Sequence, residues 1–234
     1  MFPSFSKEID EFKKVLEGFP EGVRRAFGIQ VDTIGSIIGF YSYAFTYLIL
    51  VGAIQGMNLG ISIISKETRE KTADFLLTKP VTRTQIITSK LLAAILSLLI
   101  TAIIYIATAL IMASIVKTEN YSIKVFLLIS LSLFFIQLLF LSLGILVATV
   151  FPKIKSVIAV SLGIVFMFYF IGMLSGSSGE ELTRYFSPFK YFDPAAITKT
   201  GSYEVSFVFA WIVMILLSIG VSYFTYKKKD IHTV

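Results

Sequence analysis

Five apolar runs constrain this chain more than any other feature of its sequence. They lie near 34–64, 91–116, 125–151, 157–174 and 205–226, and none carries a Lys, Arg, Asp or Glu in its middle. A helix crosses a bilayer with about 20 apolar residues, so each run reads as one span, and the first is long enough to tilt or to project beyond the membrane. The expected fold class is all-α, a polytopic transmembrane helix bundle with five readable spans. Charged residues make up 15% of the chain, against about 25% in soluble domains. A net charge of +6 would suit nucleic acid, but the basic residues flank the apolar runs. That distribution speaks for membrane orientation, with the lipid bilayer as partner and no nucleic acid.

The spans carry their own packing signal. Gly52, Gly56 and Gly60 recur every fourth residue in the first run, and Gly144 and Ala148 repeat the spacing in the third. Small residues so placed let helices approach closely in lipid, within one chain or between two. Gln55 and Asn58 are polar groups expected to seek partners inside the bundle, and the third run carries Gln137. Ahead of the spans, Phe5, Ile9, Phe12 and Leu16 share one helical face in the segment 1–33, with Gly18 and Pro20 as breakers. This reads as an amphipathic helix at a membrane surface or packed on neighbouring loops. The first 30 residues lack the basic-then-apolar order of a cleavable signal sequence. With no Pro- or Ser-rich linker and no long internal repeat, the chain divides into that segment, one transmembrane domain at 34–226 and a tail at 227–234.

Several chemistries are excluded. There are no cysteines, hence no disulfide frame, thiolate zinc site or thiol nucleophile. His232 is the single histidine and lies near the end of the chain, where it makes neither a triad nor a zinc site. Glu180 and Glu181 are adjacent, do not face each other on a helix and read as a polar loop. No catalytic or metal-binding residues are expected. No Gly-x-x-x-x-Gly-Lys-Ser/Thr phosphate loop occurs, so an ATP site of that kind belongs elsewhere.

Between the first two spans lies a charged island, 65–90. Six of the 21 Lys and Arg residues fall between Ile61 and Lys90, with Phe75, Leu76 and Leu77 in their midst. A solvated, positive-inside loop has no need of that apolar trio. Lys79 precedes Pro80 and is biased away from helix, while Thr82 to Gln85 has the capping-box spacing that opens one. Glu67 and Lys71 stand four apart in the favourable order, and Ala73, Leu76 and Leu77 share a helical face. The island reads as helix, turn, helix. So short a helix is marginal alone, and something must hold it.

The string Glu67-Thr-Arg-Glu-Lys-Thr-Ala-Asp-Phe-Leu-Leu-Thr-Lys-Pro-Val-Thr-Arg83, followed by Lys90 and an apolar helix, resembles the cytoplasmic signature of the type-2, multidrug- and antibiotic-export-like permeases of ATP-binding-cassette transporters. Lys71 stands where that family carries glycine, and lysine resists the bend glycine permits. The resemblance implies that 65–90 is a coupling helix docking on a separate cytoplasmic ATPase subunit. In that reading Phe75, Leu76 and Leu77 fill a groove on the ATPase, and Glu67, Arg69, Glu70 and Asp74 form a polar rim. Pro80 fixes the turn, and Arg83 ties it to the ATPase or to the island's own carboxylates. Thr72, Val81 and Lys90 complete the matched string. The resemblance also implies a second permease copy or a sister permease, export as the direction, and ATP and Mg bound by the partner, with no cofactor in this chain.

The loop 175–204, with Pro188, Phe189, Tyr191, Phe192 and Asp193, is similar to the family's last external loop, where short re-entrant helices cap the outer vestibule. An aromatic belt at the headgroups is the alternative. The family has six spans, and the segment from Phe2 resembles its first external loop, so a further amino-terminal span is expected upstream.

Orientation follows from the basic residues. Eleven lie on the side of the island, the Pro152 turn and the tail, against ten on the other, but the eleven sit on shorter segments. The island and the carboxy terminus are thus expected in the cytoplasm. The reading from another class is a non-transporting membrane scaffold or sensor whose island recruits a cytoplasmic partner. A neighbouring reading frame for a phosphate-loop ATPase discriminates the two. An intramembrane enzyme is disfavoured, because no catalytic pair lies in a span.

Overall fold

The computed structural model describes residues 9–26, 28–29, 31–70, 72, 80–117, 120–151, 153–178 and 181–228. No strand occurs among them. The helices are α1 (Ile9–Glu17), α2 (Glu21–Ala26), α3 (Ile37–Arg69), α4 (Arg83–Val116), α5 (Ile123–Val150), α6 (Val157–Ser178), α7 (Pro194–Thr200) and α8 (Val205–Lys228), with two 3-10 turns at Glu181–Phe186 and Pro188–Lys190. Five of them, α3 to α6 and α8, are long and apolar enough to cross a membrane. The chain is a multi-pass all-α membrane bundle.

Helix ends fall where caps form, not where apolar runs stop. Ser36 Oγ accepts from Gly39 N at 3.0 Å, so α3 begins inside the first run. At its other end α3 continues past the run to Arg69 and carries Lys66 and Glu67 on helical backbone. The capping box forms at α4: Gln85 N donates to Thr82 Oγ1 at 3.2 Å, and Thr82 N donates to Gln85 Oε1 at 2.8 Å. Two donors freed at the helix start are thereby satisfied. The helix opens at Arg83, well ahead of its apolar run.

Helix α5 is the most enclosed span and α4 the least. The largest interface joins α3 to α5, and glycine makes it. A Cβ on Gly56 would fall on Gln137 O, and one on Gly60 on Leu141 O. One on Gly144 would lie 2.6 Å from Met57 O and 3.1 Å from the Gly60 Cα. The two helices therefore run parallel with their backbones touching, inside a single chain. Gly52 faces the Leu133 side chain, and Ala148 is buried one turn beyond Gly144. Beside the seam Gln137 Nε2 donates to Gln55 Oε1 at 2.9 Å. Phe45, Met57, Ile61, Ile129, Leu139 and Phe140 close the core around it.

The remaining spans attach to this pair. Trp211 Nε1 of α8 donates to Phe135 O at 2.8 Å. Tyr41 of α3 meets Tyr105 of α4 at 2.6 Å and Ser130 of α5 at 2.7 Å through its hydroxyl, and its ring stacks on Phe126. Much of α4 is uncovered, with Leu92, Leu96, Leu99 and Ile103 exposed, as suits a helix facing lipid. Before α3, Leu16 packs with Val31 and Ile34 in a small separate cluster, while Val15, Phe19 and Val23 are exposed. Phe5 lies outside the described residues.

Substitution of the seam glycines tests this arrangement. Gly60→Ala sets a methyl against backbone atoms that have no rotamer to yield, and is expected to lower stability by about 1–3 kcal/mol. Gly163→Ala, whose methyl meets nothing within 4 Å, is expected to leave the thermal midpoint unchanged or raise it. Both are read by thermal unfolding in detergent.

Candidate functional site

The segment 70–82 joins α3 to α4 at one end of the bundle, the end where α8 also finishes. Glu67, Arg69 and Glu70 occupy the last turn of α3 and its cap, and Arg69 and Glu70 are exposed. Glu70 N donates to Lys66 O and Thr72 N to Glu67 O, each at 2.9 Å, so the chain turns over the helix end as it leaves. Pro80 and Val81 are exposed ahead of the Thr82 cap, and Arg83 is the first residue of α4. Asp74, Phe75, Leu76 and Leu77, with Lys71 and the rest of 73–79, lie outside the described residues.

Lys90 is turned inward. Its ammonium forms an ion pair with Glu67 and donates to Ile63 O at 2.7 Å, binding the start of α4 to the end of α3. The side chains are 13% and 23% exposed. Nearby, the Thr88 and Tyr223 hydroxyls meet at 2.9 Å and join α4 to α8. Of the island residues matched in sequence, the structure therefore brings Glu67 and Lys90 together and leaves Arg69, Glu70, Pro80 and Val81 facing outward.

At the opposite end the loop between α6 and α8 is folded into the bundle. Pro188, Phe189, Tyr191 and Phe192 are all buried. Phe189 packs on Phe140 and Tyr169; Phe192 packs on Phe135, Tyr203 and Trp211. Ser187 Oγ donates to Phe168 O at 2.8 Å, fitting a close approach at Gly172. Asp193 caps α7 through Ala195 N at 2.9 Å and lies 3.7 Å from Lys190. Arg184 holds Glu204 with two hydrogen bonds, at 2.7 and 3.3 Å, and its guanidinium lies 4.3 Å from the centre of the Phe207 ring. A cleft of about 40 Å³ beside Thr46, Tyr169 and Asp193 has room for water.

Sequence reasoning did not find the Arg184–Glu204 staple, the Tyr41–Tyr105–Ser130 cluster or the Trp211 bond. Each joins residues distant in the chain, and no local spacing announces them. The Glu67–Lys90 pair had a usable signal, since an antiparallel hairpin brings a charge at one root near a charge at the other. No cluster of potential metal ligands occurs among the described residues.

A family model described as ABC-2 family transporter protein matches residues 3–231. The chain belongs to the ABC-2 transporter family. It is accordingly a membrane permease of an ABC transporter, its transport component. No curated protein and no solved structure matches it.

Within this ABC-2 permease the sealed end carries a pH signature. Burial pushes the Tyr203 phenol up from 10.0 to about 12, partly offset by a hydrogen bond with Ser132. Below pH 10 both folded and unfolded chains keep the proton and stability is complete. Between about 10 and 12 the unfolded chain ionises while the folded one resists, so stability falls as pH rises. The thermal midpoint is expected to drop across that window, and Tyr203→Phe to flatten the drop.

Proposed function

We propose that this permease is half of an ATP-driven exporter in which the island 65–90 docks on a separate cytoplasmic ATPase. Closure of the ATPase around nucleotide then shifts the spans. The observation that carries the reading is the family match along nearly the whole chain, joined to the island's signature string between two spans that continue from it as long helices. Arg69, Glu70, Pro80 and Val81 stand exposed at the island's margins, free to meet a partner there. ATP and its metal are, in this reading, bound by that partner, in keeping with a sequence that carries no phosphate loop. In this reading the island and the carboxy terminus face the cytoplasm, the segment 1–33 and the loop 175–204 face the other side, and a second permease copy or sister permease completes the pathway.

The test is retention of the ATPase. A permease with Phe75→Asp and Leu76→Asp, two charges set into the proposed docking trio, is expected to lose its ATPase on co-purification. Its own thermal midpoint should stay close to that of the unaltered chain. Undiminished retention of the ATPase by that variant overturns the docking reading.

A further inference from the structure

We infer that Lys90 is a positioning residue that clasps α3 and α4 into one lever at the island end. The inference deepens the coupling reading just given and rests on it for its transport role, though the clasp itself is a property of the chain alone.

Four features converge on this pair. First, the ammonium reaches two acceptors on one face of α3, Ile63 O and the Glu67 carboxylate, one helical turn apart. Second, both side chains are largely covered, at 13% and 23% exposure, unlike a surface ion pair, which stabilises little. Loss of one partner here strands a charge that water reaches poorly. Third, Glu67 is a meeting point. Its carbonyl accepts from Thr72 N as the chain enters the island, and Tyr226, near the end of α8, is buried. Fourth, the Thr88–Tyr223 bond fastens α8 to α4 two residues from Lys90.

The mechanical consequence follows from where the clasp sits. The island runs from the end of α3 to the start of α4, so a displacement of it loads both helices. Unfastened, the two roots spread and the displacement is absorbed locally. Fastened by Lys90, they move together. Helix α3 then carries the movement to α5, because their backbones touch at Gly56, Gly60 and Gly144 and leave no slack. A compact ammonium suits the place, reaching a carbonyl and a carboxylate at once.

The chain has no cysteine, so paired cysteines take spin labels only where they are placed. Labels at Lys66→Cys and Ser89→Cys straddle the clasp and are read in nanodiscs without the ATPase. The unaltered pair is expected to give a narrow distance distribution, Lys90→Met a broad one displaced outward, and Lys90→Arg a narrow one. If Lys90→Met does not fold, Glu67→Gln is read in its place, with broadening expected. A distribution as narrow as the parent's in the variant that is read overturns the clasp.

A second label pair, Leu48→Cys with Leu174→Cys, is read with the ATPase bound, with and without ATP. A shift in the parent that Lys90→Met loses while still retaining the ATPase supports the lever. The same shift in both, or none in the parent with ATPase bound, overturns it. Failure of the parent to retain any ATPase sinks the coupling reading instead and leaves the first measurement standing.

Discussion

Two helix backbones touching inside a bilayer set the terms for everything else in this permease. Lipid tails are as apolar as leucine, so spans gain little by hiding apolar side chains from them, and association depends on close packing and on hydrogen bonds. Glycines on α3 and α5 remove the side chains that would keep the two apart, and the Gln55–Gln137 bond fixes their register. With that pair in place, α5 presents carbonyls to its neighbours. Phe135 O accepts from Trp211 and Leu128 O from Tyr203, so α8 is fastened by side chains bonding to backbone. Each such bond contributes only about 1 kcal/mol in a membrane. Their value lies in direction: they determine which face of α8 turns inward.

The spans were legible because apolar runs of bilayer length have few other uses. The start of α4 was legible too, since Thr82 and Gln85 carry the capping chemistry in four adjacent letters. The end of α3 was not. Hydropathy stops at Ile64, yet the helix runs on to Arg69, because Lys66, Glu67 and Arg69 favour helix as much as the apolar residues before them. The seam glycines could be read as a packing surface, but spacing cannot say whether the second surface lies in the same chain. Geometry answers that with Gly60 against Gly144. The loop aromatics were open to two readings for a similar reason. Phe192 is suited to headgroups by composition, and it is buried because Phe135, Tyr203 and Trp211 converge on it from two spans.

The string that marks the candidate site is local in the sequence, and the contacts among its residues are not. Its local pattern named Glu67 and Lys90 separately, each as part of a docking element. Their pairing is a tertiary fact, set by the antiparallel course of α3 and α4 and by the continuation of α3 past its apolar run. Had α3 ended at Ile64, Glu67 would stand on a loop and Lys90 would keep only the Ile63 carbonyl as acceptor. The helix extension that hydropathy missed is thus the feature that makes the ion pair possible.

The two ends of the bundle are fastened by different means, and the difference decides where the structure yields. The loop end is held by many small attachments: ring packing around Phe189 and Phe192, the Arg184–Glu204 staple and the Asp193 cap. Loss of any one leaves the others in place. The island end joins α3 to α4 through the Lys90 ammonium and through Ile86 and Ile87, buried in the same core as Ile61 and Ile64, and α4 is the least enclosed span. Between the Lys90 clasp and the Tyr105 hydroxyl, Leu92, Leu96, Leu99 and Ile103 are exposed. In the proposed lever, a force applied at the island acts on the least enclosed span beside a pair whose backbones touch. What α4 does under that force is governed by Lys90, and what the rest of the bundle does is governed by the glycines.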